Sequence, residues 1–166
     1  EFSSGPNTTS GFAIQNLNYV DGAANVTNLT VEAWVKPATG TGGGTNDERI
    51  ILSFDRSSMF SFGIGFDGNS ACAGKPAFCG IGDQQFLDSP DLRDGRWHHV
   101  VVTVDTVVDE AKCYVDGVLV DTNTGTFSAL DPTPTETPRY GWIGNGSEAT
   151  SAGGSITPGN PFYGSI

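Results

Sequence analysis

Basic residues are scarce in this chain: 8 lysines and arginines stand against 19 aspartates and glutamates, a formal net charge of -11 over 166 residues. A surface this acidic repels phosphate backbones and anionic lipid, which argues against nucleic acid and a charged membrane as partners. It suits solubility, a salty exterior or divalent cations, with most carboxylates simply solvated. No apolar run approaches the roughly 20 residues that span a bilayer, so membrane insertion is not expected. No leader pattern is visible, which fits a mature or excised segment. A stripe of apolar residues at i, i+3, i+4 and i+7 is also missing, so helices are not expected.

Catalytic signatures are absent too. Gly42-Gly43-Gly44 lacks the Gly-Lys-Ser/Thr ending of a phosphate-cradling loop and reads as a flexible connection. No Gly-x-Ser-x-Gly elbow occurs. The two histidines, His98 and His99, are adjacent, so on a strand they point to opposite faces and cannot share one metal. Glycoside hydrolysis needs two facing carboxyls, whereas Asp47-Glu48 and Asp109-Glu110 read as loop or turn residues. The expectation is a protein that is not an enzyme.

Cysteines are few. Cys72 and Cys79 bracket Ala-Gly-Lys-Pro-Ala-Phe, and their closeness fits a local disulfide in an oxidising compartment. Cys113 alternates with Val115 and reads as a buried thiol standing in for a small apolar side chain. Asn7, Asn25, Asn28 and Asn145 each begin an Asn-x-Ser/Thr sequence, the acceptor pattern for glycosylation of a secreted protein.

What is abundant is period-two patterning broken by glycine, proline, asparagine and aspartate. Phe60, Phe62, Ile64 and Phe66 alternate with Met59, Ser61, Gly63 and Gly65, a strand with one aromatic face and one nearly bare. Further strands are predicted at 29–36, 50–54, 100–106, 112–115, 118–120 and 140–143. Val115-Asp116-Gly117-Val118 places Asp-Gly between β-branched residues, the signal of a two-residue type I′ hairpin. Loops are expected at 38–48, 68–94, 121–139 and 144–161. Short strands with turns between them, and no helices, predict an all-β antiparallel sandwich of one domain, 1–166.

Several segments resemble the laminin-G-like, concanavalin A-type jelly rolls. Thr30-Val31-Glu32-Ala33-Trp34-Val35-Lys36-Pro37 resembles their first core strand, and Asp94-Gly95-Arg96-Trp97-His98-His99-Val100 the start of their central strand. Tyr114-Val115-Asp116-Gly117 is similar to their hairpin. Trp142-Ile143-Gly144 and Phe162-Tyr163-Gly164-Ser165-Ile166 resemble their last two strands. The matches keep the family's order across 30–166. On this reading the Asp-Gly turn feeds Trp97 into the core, and both histidines are structural.

The resemblance implies a non-catalytic extracellular or cell-surface module that binds a glycan or a cell-surface protein, often with calcium. The pentraxin branch places its calcium on two loops, which here implies Asp55, Asn145, Glu148 and Asn160 as ligands. Phe78, Phe86 and Tyr163 are the candidate glycan contacts. The family's terminal strand would continue past Ile166, so the last strand is expected to be missing here. The remainder of a longer chain, or another chain, would supply it. An adhesion domain making protein contacts is the second reading. A glucanase-like enzyme is the third, and it would require paired carboxylates in a groove.

Overall fold

The computed structural model describes residues 12–14, 27–40, 49–54, 60–65, 70–79, 84–127, 141–144 and 162–166. In chain order the strands are β1 (Phe12–Ile14), β2 (Asn28–Pro37), β3 (Arg49–Phe54), β4 (Phe60–Ile64), β5 (Pro76–Cys79) and β6 (Gln84–Gln85). They continue as β7 (His98–Asp105), β8 (Glu110–Val115), β9 (Val118–Thr124), β10 (Gly141–Ile143) and β11 (Gly164–Ser165). Two antiparallel sheets result, one ordered β1-β10-β3-β4-β5-β6 and the other β11-β2-β7-β8-β9. Their inner faces close over one apolar core, the all-β jelly-roll sandwich expected.

Alternation decides which side chains enter that core. On β2 the odd positions Val31 and Val35 are buried, while Thr30, Glu32, Trp34 and Lys36 face out. On β7 Val100, Val102 and Val104 turn inward, and on β8 Ala111, Cys113 and Val115 do the same. They meet Phe62, Ile64 and Phe78 from the opposite sheet. Each fully buried valine, isoleucine or phenylalanine among them contributes about 1.5–3 kcal/mol of transfer free energy. The hairpin between β8 and β9 has Asp116 at φ 51° and Gly117 at φ 81°, the positive angles a type I′ turn needs.

The same alternation corrects one expectation. Trp97 does not enter the core; it is 48% exposed. With Val100, Val102 and Val104 inward, the odd residues preceding them on the chain fall on the other side. Period two outweighs the general tendency of a tryptophan to be buried. The segment 68–94 also differs from the expected loop, because β5 and β6 lie within it and extend the six-stranded sheet.

The two outer faces are unlike. On the six-stranded sheet Ile50, Ser53, Ser61 and Gly63 are buried, although they turn away from the core formed by Phe62 and Ile64. At Gly63 the backbones approach so closely that an added Cβ would lie 2.6 Å from the Arg49 carbonyl oxygen. Gly63→Ala should therefore cost about 1–3 kcal/mol, because a backbone carbonyl cannot swing aside as a side chain can. Urea denaturation measures it, and an unchanged midpoint would contradict the close approach. The five-stranded sheet keeps its outer face open.

Candidate functional site

Two arrangements on the five-stranded sheet bring polar chemistry together. The first gathers at the start of β7. The His98 ring lies with Nδ1 2.9 Å from Asp116 Oδ2 and Nε2 3.0 Å from Asp94 Oδ1. A neutral imidazole carries one N–H, so donating to both carboxylates requires the imidazolium. Burial is the largest single influence on His98 and lowers its pKa, yet the hydrogen bonds and charges of Asp116 and Asp94 together outweigh it, and the net shift is upward.

The carboxylates are themselves anchored. Asp94 accepts from the Arg96 backbone N–H at 2.8 Å and from Arg96 Nε at 2.8 Å. Its carboxyl is held down at about 2, first by that backbone hydrogen bond and then by His98. Asp116 accepts from the His99 backbone N–H at 2.9 Å. Burial would raise the Asp116 carboxyl, but the hydrogen bonds from His98 and His99 leave it below its usual range. The Asp94-Gly95-Arg96 bend and the Asp116-Gly117 turn are thus clamped to one ring. The motif that resembles the family's central strand and the one that resembles its hairpin meet here.

The second arrangement lies on the open face. Trp34 is 59% exposed, and its indole stacks on the His99 ring with centroids 5.1 Å apart and planes 23° from parallel. Strand pairing puts Trp34 directly opposite His99. His99 Nε2 lies 3.3 Å from Glu32 Oε2. Glu32 pairs with Val101, Val101 with Tyr114, and Tyr114 with Leu119, forming one row across four strands. A single row away, Thr30, Thr103, Lys112 and Thr122 are aligned in the same manner.

The sequence did not single out Trp34 as a surface group. Its signal was available, since Val31, Ala33 and Val35 alternate around it and place it outside.

The predicted site residues fare unevenly. Phe78 and Phe86 are 0% exposed, so they are core and not glycan contacts; their place in a loop-rich stretch had concealed β5 and the packing beside β6. Tyr163 is half-buried, and its carbonyl accepts a hydrogen bond from Arg49. Cys72 is a buried free thiol that donates to Gln85 Oε1 at 3.0 Å. Burial pushes its pKa up, with Lys75 opposing. The side chain of Cys79 lies outside the described residues. Cys113 is a free, fully buried thiol as expected, raised to about 12 by burial and secondarily by Asp121.

Asn28 is exposed at the start of β2. Asn7, Asn25, Asp55, Asn145, Glu148 and Asn160 all lie outside the described residues. The described neighbours of the expected calcium ligands fall in two places on β3. The Phe162 N–H donates to the Gly144 carbonyl at 2.9 Å, and Gly144 in turn donates to Ile51 at 2.8 Å. Asn145 and Asn160 are each within two residues of that junction in sequence. Phe54, before Asp55, pairs instead with Gly141. Ile51 and Phe54 stand three residues apart on β3, about 10 Å at the usual strand rise. Among the described residues, no group of three or more His, Cys, Asp or Glu side chains could hold a metal.

An antiparallel sandwich with one open, aromatic-bearing outer face defines a lectin-like β-sandwich. The chain belongs to the concanavalin A-like lectin/glucanases superfamily, whose family model matches residues 7–166. It is 29% identical over 85 residues to the rat (Rattus norvegicus) Sushi, von Willebrand factor type A, EGF and pentraxin domain-containing protein 1, covering 51% of this chain and 2% of that protein.

Two crystal structures share the fold. A candidate carbohydrate-binding protein from Bacteroides ovatus aligns over 87% of this chain and 36% of its own, at 18% identity and a TM-score of 0.58. A native heptameric SAP-like pentraxin from Limulus polyphemus aligns over 84% and 60%, at 18% identity and a TM-score of 0.54. The chain thus spans only part of each of these proteins.

Proposed function

We propose that the chain is a non-catalytic, extracellular carbohydrate-recognition module. The observation that carries the reading is the exposed outer sheet face that bears Trp34 stacked on His99, within a lectin-superfamily fold. A glycoside hydrolase needs one carboxyl kept protonated as the acid beside a second that stays ionised. Asp94 and Asp116, the two carboxylates that converge on His98, are both held below the ordinary range, so neither is suited to the acid's role. They serve the fold, and recognition is the chemistry that the open face supports.

Calcium belongs to the same proposal as an accessory ion on Asp55, Asn145, Glu148 and Asn160, whose carboxylate and amide oxygens are the hard donors it takes.

Affinity electrophoresis against a panel of neutral polysaccharides tests the reading, with calcium chloride and with EDTA in parallel. Retardation in at least one gel without release of new reducing ends is the expected result. Slower release from the gel with calcium than with EDTA is expected if the ion is held. Equal retardation in both would remove calcium and leave sugar recognition intact. No retardation anywhere, or reducing ends released in step with protein concentration, would overturn the reading.

A second reading, an adhesion domain completed by an added strand, is favoured by the edge of β2. Among the described residues, β11 pairs with Pro37 and Lys36. Among the described residues, β2 from Asn28 to Val35 is hydrogen-bonded on its β7 side alone. Such an edge can accept a strand. Sedimentation of the chain as a monomer at tens of micromolar would count against strand exchange between copies.

A further inference from the structure

We propose that the outer face of the five-stranded sheet, centred on Trp34, is a stacking subsite for a neutral oligosaccharide. The inference rests on the carbohydrate reading above and assigns it a place other than the loop contacts first expected.

Three observations converge. The first is that Trp34 exposes more than half its surface although a tryptophan is among the costliest side chains to leave in water. The second is its fixed orientation. The His99 ring, its cross-strand neighbour, stacks on the indole at 5.1 Å and 23° from parallel and holds it as a flat platform that stays 59% exposed. Platforms that are already rigid lose little entropy on binding. The third is the setting. Beside the indole on the same face stands the Glu32 carboxylate, an acceptor for hydroxyl groups, and about 13 Å further along the strands runs the threonine row of Thr30, Thr103 and Thr122, each able to donate and accept. An apolar ring face flanked by hydrogen-bonding groups is what a sugar presents in complement: C–H bonds on one side and hydroxyls around the rim.

Charge narrows the class. The chain carries -11 overall; on this face Lys112 is paired with Glu110, while Lys36, two residues along β2 from Trp34, is exposed on the same side. A sulfated or uronic-acid polymer would meet Glu32 next to the platform, so a neutral sugar is favoured. The row from Glu32 to Leu119 crosses three strand spacings of about 4.8 Å each, room for several sugar rings and not only one. The opposite sheet offers no such face where it is described, because Ile50, Ser53 and Ser61 are already covered.

The test compares wild type with Trp34→Ala, Trp34→Phe and a remote exposed control, Leu87→Ser, on neutral arabinan, xylan, mannan and β-glucan and on heparin and polygalacturonate. Because Trp34 is exposed, Trp34→Ala should melt within a few degrees of wild type, which confirms that it is folded. The expected result is retention of wild type by at least one neutral polymer, at least ten-fold weaker retention of Trp34→Ala, intermediate behaviour of Trp34→Phe and an unchanged control. Wild type and Trp34→Ala binding a neutral polymer equally would overturn the subsite while leaving carbohydrate recognition standing. Wild type binding no polymer would overturn both. Retention by the anionic polymers alone would overturn the neutral class. If wild type binds no sugar and instead forms a dimer that Trp34→Ala dissolves, the face is a protein interface and the proposal fails.

Discussion

Arg49→Met is expected to lower the unfolding free energy by about 3–4 kcal/mol, a fall in Tm of roughly 10 °C for a chain of this size. Arg49 is 1% exposed at the start of β3. One terminal nitrogen donates to the carbonyls of Ala38 at 2.8 Å and Tyr163 at 3.3 Å, and the other donates to Gly40 at 2.6 Å. A single guanidinium therefore ties the end of β2, the turn after it and the segment leading into β11. Methionine fills much of the volume but donates nothing, so three carbonyls lose a charged donor. Its charge is also felt at Asp91, whose carboxyl is held low first by the side-chain hydrogen bond from Arg93 and, further down, by Arg49. Arg49→Lys should recover only part of the loss, because an ammonium cannot reproduce the planar fork. Differential scanning calorimetry with urea denaturation measures it. A loss under 1 kcal/mol in the methionine variant would contradict the account.

His98→Ala carries the second large expectation, about 2 kcal/mol or a Tm fall of about 4–8 °C, together with a changed pH profile. The folded-state pKa of His98 lies above its ordinary value near 6.5. Protonation is therefore favoured by folding. The contribution is fully present below about pH 6.5 and is lost as pH rises through the raised value. Asp94 and Asp116 have the opposite sign: both are depressed, so their contribution is present above the ordinary carboxylate range and is lost as acid is added. Wild type should thus lose stability as pH rises above about 6.5 and through the raised value, and His98→Ala should show a flatter profile there. Asp116→Asn should reproduce part of the effect, since the amide keeps an oxygen for the His99 N–H but loses the charged acceptor facing His98 Nδ1. Parallel profiles for wild type and His98→Ala would mean that the ring does not act as an ionised clamp.

Much of the fold was legible because its strands obey period two. The runs around Val31 to Val35 and Val100 to Val104 announced themselves, as did Asp116-Gly117, where backbone angle and residue type coincide. The strands β1, β5 and β6 were not legible. Pro76–Cys79 has no alternation of its own and is a strand only because β4 lies beside it. Arg49 was silent for a similar reason: its acceptors are 9, 11 and 114 residues away in sequence.

The site was half legible. The histidines were expected to be structural on opposite faces, and His98 is clamped while His99 meets the outer face. The error at Trp97 and the silence at Trp34 have one origin. At Trp97 aromatic character was read as burial, and at Trp34 the register was not drawn, whereas strand register fixes which way each residue points.

The most direct test of the account is an NMR titration of the 15N-labelled chain with a mixture of neutral oligosaccharides. Three tryptophans give three indole N–H signals, which makes Trp34 assignable by substitution. The account predicts saturable shifts at the Trp34 indole and at backbone amides of Glu32, His99 and Val101, with no sugar cleaved during the titration. Saturable shifts confined to other regions, with the Trp34 indole unmoved, would contradict it.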